Sequence, residues 1–448
     1  MVDRQHGEGE AEAAGEASSS LGPSPDGGSG PRFFGHIQSP GAILGILAFI
    51  NFFNYVDRQV IGPLVPLLQQ PEAQGGLGLS NFQVGLLQTA FMVVHSVLSI
   101  PMGIVADRYL RKSLIAAGVG VWSIATAGAA LVTSFGQMFA ARAAVGIGEA
   151  TYAPAASALI SDRFSAAARA RALGVFQTGM ILGGAAAVVL GSWFGSHYGW
   201  RTAFFLVGAP GLLLTLLTLM IYERPRPRRV VAQPRPGLAE ARAALRTPVV
   251  FWINVAGILI SFFVGALLFW APTYLLRTYY GGDEAFLREV GLAFGVVAAT
   301  AGLAGTLTGS FVADRLERTR PGSGRLLAVA IGTLLSVPCA LAGIFSPTLD
   351  LLYVAVWFGV FFNSWYVGPI LAALHDVVAQ QLRGTMTGVY LLLIHLLGDG
   401  FSPAIVGGIA DYTGSLRTGL VVAVGVLFLG GLAALLAIRG TRAAAPPA

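Results

Sequence analysis

The chain has 448 residues, of which 55% are hydrophobic and 11% charged, against about 25% charged in ordinary soluble proteins. So little charge cannot cover a soluble globule, and so much apolar content excludes a disordered scaffold. Its apolar runs are continuous over about 20 residues or more, which points to membrane helices and away from a barrel of alternating strands. The net charge of +6 is spread over short segments between those runs and is no nucleic-acid signal. A single cysteine, Cys339, excludes an intramolecular disulfide.

Residues 1–39 are rich in Gly, Ser, Glu, Ala and Pro and hold no apolar run. They are expected to be a disordered tail and not a signal peptide. Twelve apolar segments follow, at 41–69, 80–106, 112–133, 137–161, 170–195, 200–222, 248–276, 289–312, 325–345, 350–377, 385–411 and 417–438. Each is long enough, at about 1.5 Å per residue, to cross a hydrocarbon core of about 30 Å as a helix. The longest polar break, 223–247, carries seven arginines and divides the segments six and six. The expected organisation is a bundle at 40–222, a linker at 223–247, a bundle at 248–438 and a short tail at 439–448. Of the 28 basic residues, 22 fall on the linker side or in the tails, and two, Arg58 and Arg142, lie inside segments. Only Arg201, Arg277, Arg288 and Arg417 fall on the other side. The positive-inside rule then puts both termini and the linker in the cytoplasm.

Segment 1 contains Asn54, Tyr55, Asp57 and Arg58 well inside its apolar run, and segment 4 contains Arg142 and Glu149. A charge at the bilayer centre costs about 2.5–3.5 kcal/mol on insertion scales. Seven residues bring Arg142 and Glu149 back to within about 20° on one helix face. The depth of Asp57 lies between theirs. A carboxylate that makes and breaks contact with arginine as two bundles rock is a proton switch. The plainer alternative is a static ion pair tying segments 1 and 4 together.

The two halves repeat. Val105-Ala106-Asp107-Arg108 follows segment 2, and Val312-Ala313-Asp314-Arg315 follows segment 8. Arg169 lies five residues before Gly174, and Arg383 five before Gly388, an offset of 214. Parallel halves are a transporter architecture with the substrate site between them. The stretch Gly103-Ile-Val-Ala-Asp107-Arg108-Tyr-Leu-Arg111-Lys112 resembles the signature of the major facilitator superfamily. The resemblance implies an all-helical fold of two pseudo-symmetric six-helix bundles. It also implies that Gly103, Asp107, Arg108 and Arg111 form a cytoplasmic latch. Gly103 would let two helices approach closely. Without the resemblance, the same arginines read as a positive-inside anchor.

Asn54-Tyr55-x-Asp57-Arg58 resembles the first-helix signature of the Spinster family within that superfamily. Gly85-Leu86-Leu87-Gln88-Thr89-x-Phe91, Gly146-Ile147-Gly148-Glu149-Ala150-Thr151-Tyr152 and Gly199-Trp200-Arg201 are similar to that family as well. The resemblance implies a proton-coupled carrier of a sphingolipid- or lysophospholipid-like amphiphile. Asp57 and Glu149 would couple protons, and Arg58 and Arg142 would hold a phosphate or poise those acids. An organic-anion or sugar-phosphate carrier would use the same arginines.

In the second half, His395 and Asp399 stand four residues apart on one helix face. They are either a polar patch between helices or part of the coupling. Asn363, Trp365 and Tyr366, like Asn54, Tyr55 and Tyr152, are candidate cavity residues; packing is the alternative for the aromatics. Phe262, Trp270 and Tyr274 have the same two readings. His95 is expected to be a satisfied packing residue, and His375-Asp376 to sit at the cytoplasmic end of segment 10. No metal-ligand spacing, Gly-rich phosphate loop with Lys or Ser-His-Asp arrangement occurs, so no enzyme, metal or cofactor is expected. A receptor or scaffold would need a folded sensing domain, for which tails and linker are too short. The expected partners are a small amphiphile, protons and membrane lipids, with no nucleic acid. A monomer in a bacterial inner membrane is expected.

Overall fold

In lipid every backbone polar group must find its partner within the protein, which leaves helices as the form for runs of this kind. The computed structural model describes residues 36–108, 110–223 and 238–444. Twelve helices cross: α1 (Pro40–Gln69), α2 (Asn81–Arg108), α3 (Arg111–Ala129), α4 (Phe135–Arg163), α5 (166–198), α6 (200–219), α7 (Pro248–Tyr279), α8 (Leu287–Thr319), α9 (Gly324–Ile344), α10 (Leu349–Val377), α11 (383–413) and α12 (Leu416–Ala444). Ten helical stretches are long and apolar enough by themselves to cross a membrane. One of them holds both α5 and α6, and α4, with Arg142 and Glu149 in its span, is the twelfth crossing. Among the described residues there is no strand, only an isolated bridge between Ile37 and Ile221.

The continuous helical stretch Ala166–Leu219 reverses at Gly199, whose φ of 78° is a left-handed conformation that glycine adopts without strain. Both ends of this stretch return to one side, because Arg163, just before α5, donates to the carbonyl of Tyr222, just after α6. The same end holds the N-terminal entry, where the Ile37 N–H donates to Met220 (3.0 Å) and the Tyr222 N–H to Ile37 (2.9 Å). We call it the linker end.

Several boundaries differ from the sequence reading. α2 runs through Asp107 and Arg108, so those residues lie in its last turn and not in a loop. Their side chains are outside the described residues, as are 1–35 of the expected tail and 224–237 of the linker. A short helix, Leu238–Leu245, occupies the rest of the linker, and α12 continues into the expected C-terminal tail. α10 is broken by a 3-10 turn at Ser364–Tyr366 ahead of Pro369, which has no N–H to continue the ladder. α11 contains a π-helical turn, Ile394–Asp399, a form that occurs mostly as single turns and often at functional sites.

Helices α1–α6 and α7–α12 form two bundles that meet along α2–α11, α5–α8 and α1–α7. Contact is closest away from the linker end. A Cβ on Gly85 would lie 2.5 Å from the Ala404 backbone, and one on Gly291 would lie 2.0 Å from the Ser192 hydroxyl. At the linker end a Cβ on Gly103, Gly174, Gly384 or Gly388 would meet nothing within 4 Å. Gly103 therefore does not bring two helices together here. The tight contacts between the bundles thus lie toward the far end, which is closed.

Candidate functional site

The expected charges of α1 and α4 converge inside the first bundle. Asp57, Arg58, Arg142 and Glu149 are 2%, 7%, 1% and 2% exposed. Pro63 lacks the N–H that would close the helical bond to Gln59, and α1 loosens at Val60, one turn beyond Asp57. Arg142 Nη1 lies 3.7 Å from Asp57 Oδ1. The Thr126 hydroxyl, from α3, lies 2.7 and 2.6 Å from the two Asp57 oxygens and donates to that carboxylate. Arg142 Nη2 also donates to the Arg58 carbonyl at 3.4 Å. Three helices thus hold Asp57 in place.

Glu149 is held differently. Neither of its oxygens accepts a hydrogen bond of good geometry, and the facing amide nitrogen of Asn54 donates none. Arg58 donates to the Met92 sulfur at 3.1 Å, and its guanidinium lies 5.4 Å from the Phe91 ring and 5.6 Å from the Tyr55 ring. Among the described residues no carboxylate stands within ion-pair distance of it. The Arg142 guanidinium also lies over the Phe91 ring, 5.1 Å from its centroid. The cluster therefore contains one ion pair, Asp57 with Arg142, and one acid and one base without ionic partners among the described residues. An unpaired charge in an apolar interior is far more costly than a paired one.

The second bundle reaches this cluster through α11. The Thr89 hydroxyl donates to the Gly400 carbonyl at 2.7 Å, and a Cβ on Gly400 would lie 3.2 Å from Met92 Cβ, the residue that carries Arg58. On the π turn just before Gly400, His395 Nδ1 and Asp399 Oδ2 are 3.0 Å apart. Asp399 lies within Coulombic range of Tyr55 on α1 and Tyr366 on α10. His395 and Asp399 thus form a polar pair at the seam between the bundles.

Other expected residues are placed elsewhere. Tyr152 packs inside the first bundle, where its hydroxyl donates to the Leu47 carbonyl (2.5 Å) and its ring meets Trp122 edge-on. Trp365 wedges between α8 and α9 against Gly309 and Gly332. Asn363 is buried with its Oδ1 unpartnered. Trp270 donates to the Pro403 carbonyl and Tyr274 to the Ile344 carbonyl, while Phe262 belongs to the core. Arg111 pairs with Asp162 of its own bundle at 2.6 Å. His375 meets the Thr387 hydroxyl at 2.7 Å and Asp376 pairs with Arg325, both near the linker end. His95, expected to be satisfied, stacks on Phe91 but leaves its buried Nδ1 without a partner. Thr126 and Met92 escaped the sequence reading, since one hydroxyl or thioether in an apolar helix carries no pattern.

A small apolar cavity of about 50 Å³ lies within the second bundle, lined by residues of α7–α10 and α12 that include Phe263, Phe294, Ala340, Val356 and Leu420. Its one phenol, Tyr274, is engaged by the Ile344 carbonyl.

Comparison with known proteins agrees with this architecture. The family model for the Major Facilitator Superfamily matches residues 47–403. Protein spinster homolog 1 of Bos taurus is 30% identical over 396 residues, covering 82% of this chain and 72% of that protein. The Homo sapiens protein of the same name is 29% identical over 403 residues, covering 83% and 74%. The crystal structure of a bacterial homolog to the human lysosomal transporter Spinster, inward-facing and unoccupied, superposes with a TM-score of 0.79 at 24% identity. The match covers 91% of this chain and 99% of that one. With paired six-helix bundles, a charged cluster beside their seam and these relatives, the chain belongs to the Spinster family of major facilitator superfamily transporters, integral membrane proteins that move small molecules and are not enzymes.

Proposed function

We propose that this transporter couples proton movement to alternating access and carries a lipid-like amphiphile with a phosphate or zwitterionic headgroup. The observation that carries the reading is the unequal pairing in one buried cluster: Asp57 holds Arg142, while Glu149 and Arg58 stand without ionic partners. A proton delivered to Asp57 weakens its hold on Arg142, and Glu149 is the acceptor left for that guanidinium or for the proton. Arg58 offers its charge to a headgroup. The bundles then rock about the seam.

The apolar cavity of the second bundle supports an amphiphile over a hydrophilic anion, because it presents alkyl and aromatic groups to a chain. The charge distribution supports cytoplasmic termini in a bacterial inner membrane, with the linker end facing inward. In the opposite state the stretch around Gly103, Asp107, Arg108 and Arg111 would latch that end.

The test is flux in proteoliposomes across an imposed pH gradient, with radiolabelled lysolipid and hydrophilic organic anions as alternative substrates. Asp57→Asn still accepts from Thr126, and Glu149→Gln is isosteric; both are expected to elute as folded protein. Each should abolish the gradient-driven part of lysolipid flux. Gradient-driven flux that survives in both variants would overturn the coupling. Uptake of the anions with none of the lysolipid would overturn the substrate class.

A further inference from the structure

At the closed end, one helix of the first bundle has its N-terminus completed by a residue of the second. An α-helix leaves its first four N–H groups without intrahelical partners. At the start of α2, Ser80 and Gln83 form a reciprocal capping box: the Gln83 N–H donates to the Ser80 hydroxyl (3.2 Å), and the Ser80 N–H to Gln83 Oε1 (3.0 Å). The two N–H groups between them are taken by Asp411, 330 residues away at the end of α11. The Asn81 N–H donates to Asp411 Oδ1 (3.1 Å) and the Phe82 N–H to Oδ2 (2.8 Å), and the Asn81 amide adds a third bond at 2.6 Å. A carboxylate at this position also meets the positive end of the helix dipole.

The contact is reinforced around Asn81. Arg277 of α7 donates to Asn81 Oδ1 (3.2 Å) and to Gln69 Oε1 (2.6 Å), and Gln69 donates to Asn81 Oδ1 (3.0 Å). A Cβ on Gly407, one turn before Asp411, would lie 2.4 Å from the Asn81 carbonyl oxygen, so the backbones are in contact. At the start of α8 the bond between bundles joins two side chains instead, from the Gln70 amide to the Glu284 carboxylate at 2.6 Å. The 214-residue offset of the repeat places His197 of α5 where Asp411 stands in α11. His197 turns back on its own helix, to the Trp193 carbonyl (2.9 Å) and the Ser196 hydroxyl (3.1 Å).

We propose that Asp411 is an inter-bundle latch: by capping α2 from the opposite bundle it holds the end remote from the linker closed, and it must release for that end to open. Opening strips two backbone N–H groups and an amide of a charged acceptor in one step. Asp411 is exposed, so water replaces those bonds once the bundles part. The device is a switch between two states and not a permanent staple.

The experiment measures the distance across the closed end by electron paramagnetic resonance. Spin labels are placed at exposed Ala73→Cys and Thr418→Cys in a Cys339→Ala background, in lipid nanodiscs without substrate. Asp411→Ala should raise the ratio of open to closed distances roughly tenfold, the order expected for loss of a charged cap. Asp411→Glu, which keeps both acceptor oxygens, should stay near the parent distribution. Gln83→Ala removes only an intra-bundle part of the cap, the acceptor of the Ser80 N–H, and should leave the distribution unchanged. An unchanged distribution in Asp411→Ala overturns the latch. An equal shift in Gln83→Ala overturns it as well, because fraying of α2 would then account for the effect.

Discussion

The first bundle buries charge, and the second is apolar around a small cavity. Asp57, Arg58, Arg142 and Glu149 are all packed into α1 and α4, where only one of the two acids, Asp57, has both a hydrogen bond and an ion-pair partner. The second bundle has the half-buried His395–Asp399 pair at the seam and a small cavity whose lining is alkyl and aromatic. Repeated folds thus carry unlike interiors: one half is equipped for ions and the other for hydrocarbon. The offset of the repeat shows the same divergence at the closed end, where Asp411 reaches across the seam and His197 does not.

This contrast is broken most severely at Asp57. Asp57→Ala leaves the Arg142 guanidinium buried without a carboxylate, a loss of the order of 3–5 kcal/mol. Thermal unfolding in detergent should show the largest drop among these variants. The double variant Asp57→Ala/Arg142→Met should regain much of it, since an apolar pair often replaces a buried ion pair at little cost. If the double variant is no better than the single, the pair is not the reason for the loss.

Glycines at the seam come next. Gly291→Val places side-chain atoms where Ser192 already stands and should cost about 1–3 kcal/mol. Gly103→Ala adds a methyl in open space and should move the unfolding temperature little, with a change within about 0.5 kcal/mol. Equal effects at the two positions would contradict tight contact between the bundles at Gly291 and none at Gly103.

A smaller effect is expected from Ser80→Ala, about 1 kcal/mol for a lost cap, read as faster amide exchange confined to the first turn of α2. The second bundle offers a further comparison. Ala340→Leu fills part of the cavity and should change thermal stability by less than about 1.5 kcal/mol. If that space receives an alkyl chain, the same variant should weaken stabilisation by long-chain lysolipids more than by short-chain ones. Equal loss for both chain lengths would separate the cavity from the substrate.

Much of this was legible in the residue order. Each crossing is a local property: a continuous apolar run must become a helix in lipid, and the arginines between the runs mark one side. Asp57, Arg58, Arg142 and Glu149 stood out because charge is rare in such runs. Partnership was not legible. Arg142 and Glu149 share a helix face, yet Arg142 turns to Asp57 on another helix. Thr126, which completes that site, is one hydroxyl in an apolar helix and looks like any packing threonine. Tyr152 lay in a motif beside Glu149, but its hydroxyl is taken by the Leu47 carbonyl inside the bundle.

The sequence by itself determined the membrane setting, the two-bundle repeat, the family resemblance and the four charges, because these follow from composition, periodicity and the cost of charge in hydrocarbon. Only the tertiary structure decided which charges are paired, which end is closed and that Asp411 caps a helix 330 residues away. Those outcomes depend on how the helix axes approach one another. Hydrogen bonds and ion pairs act over a few ångströms, and no spacing along one helix specifies a separation between two.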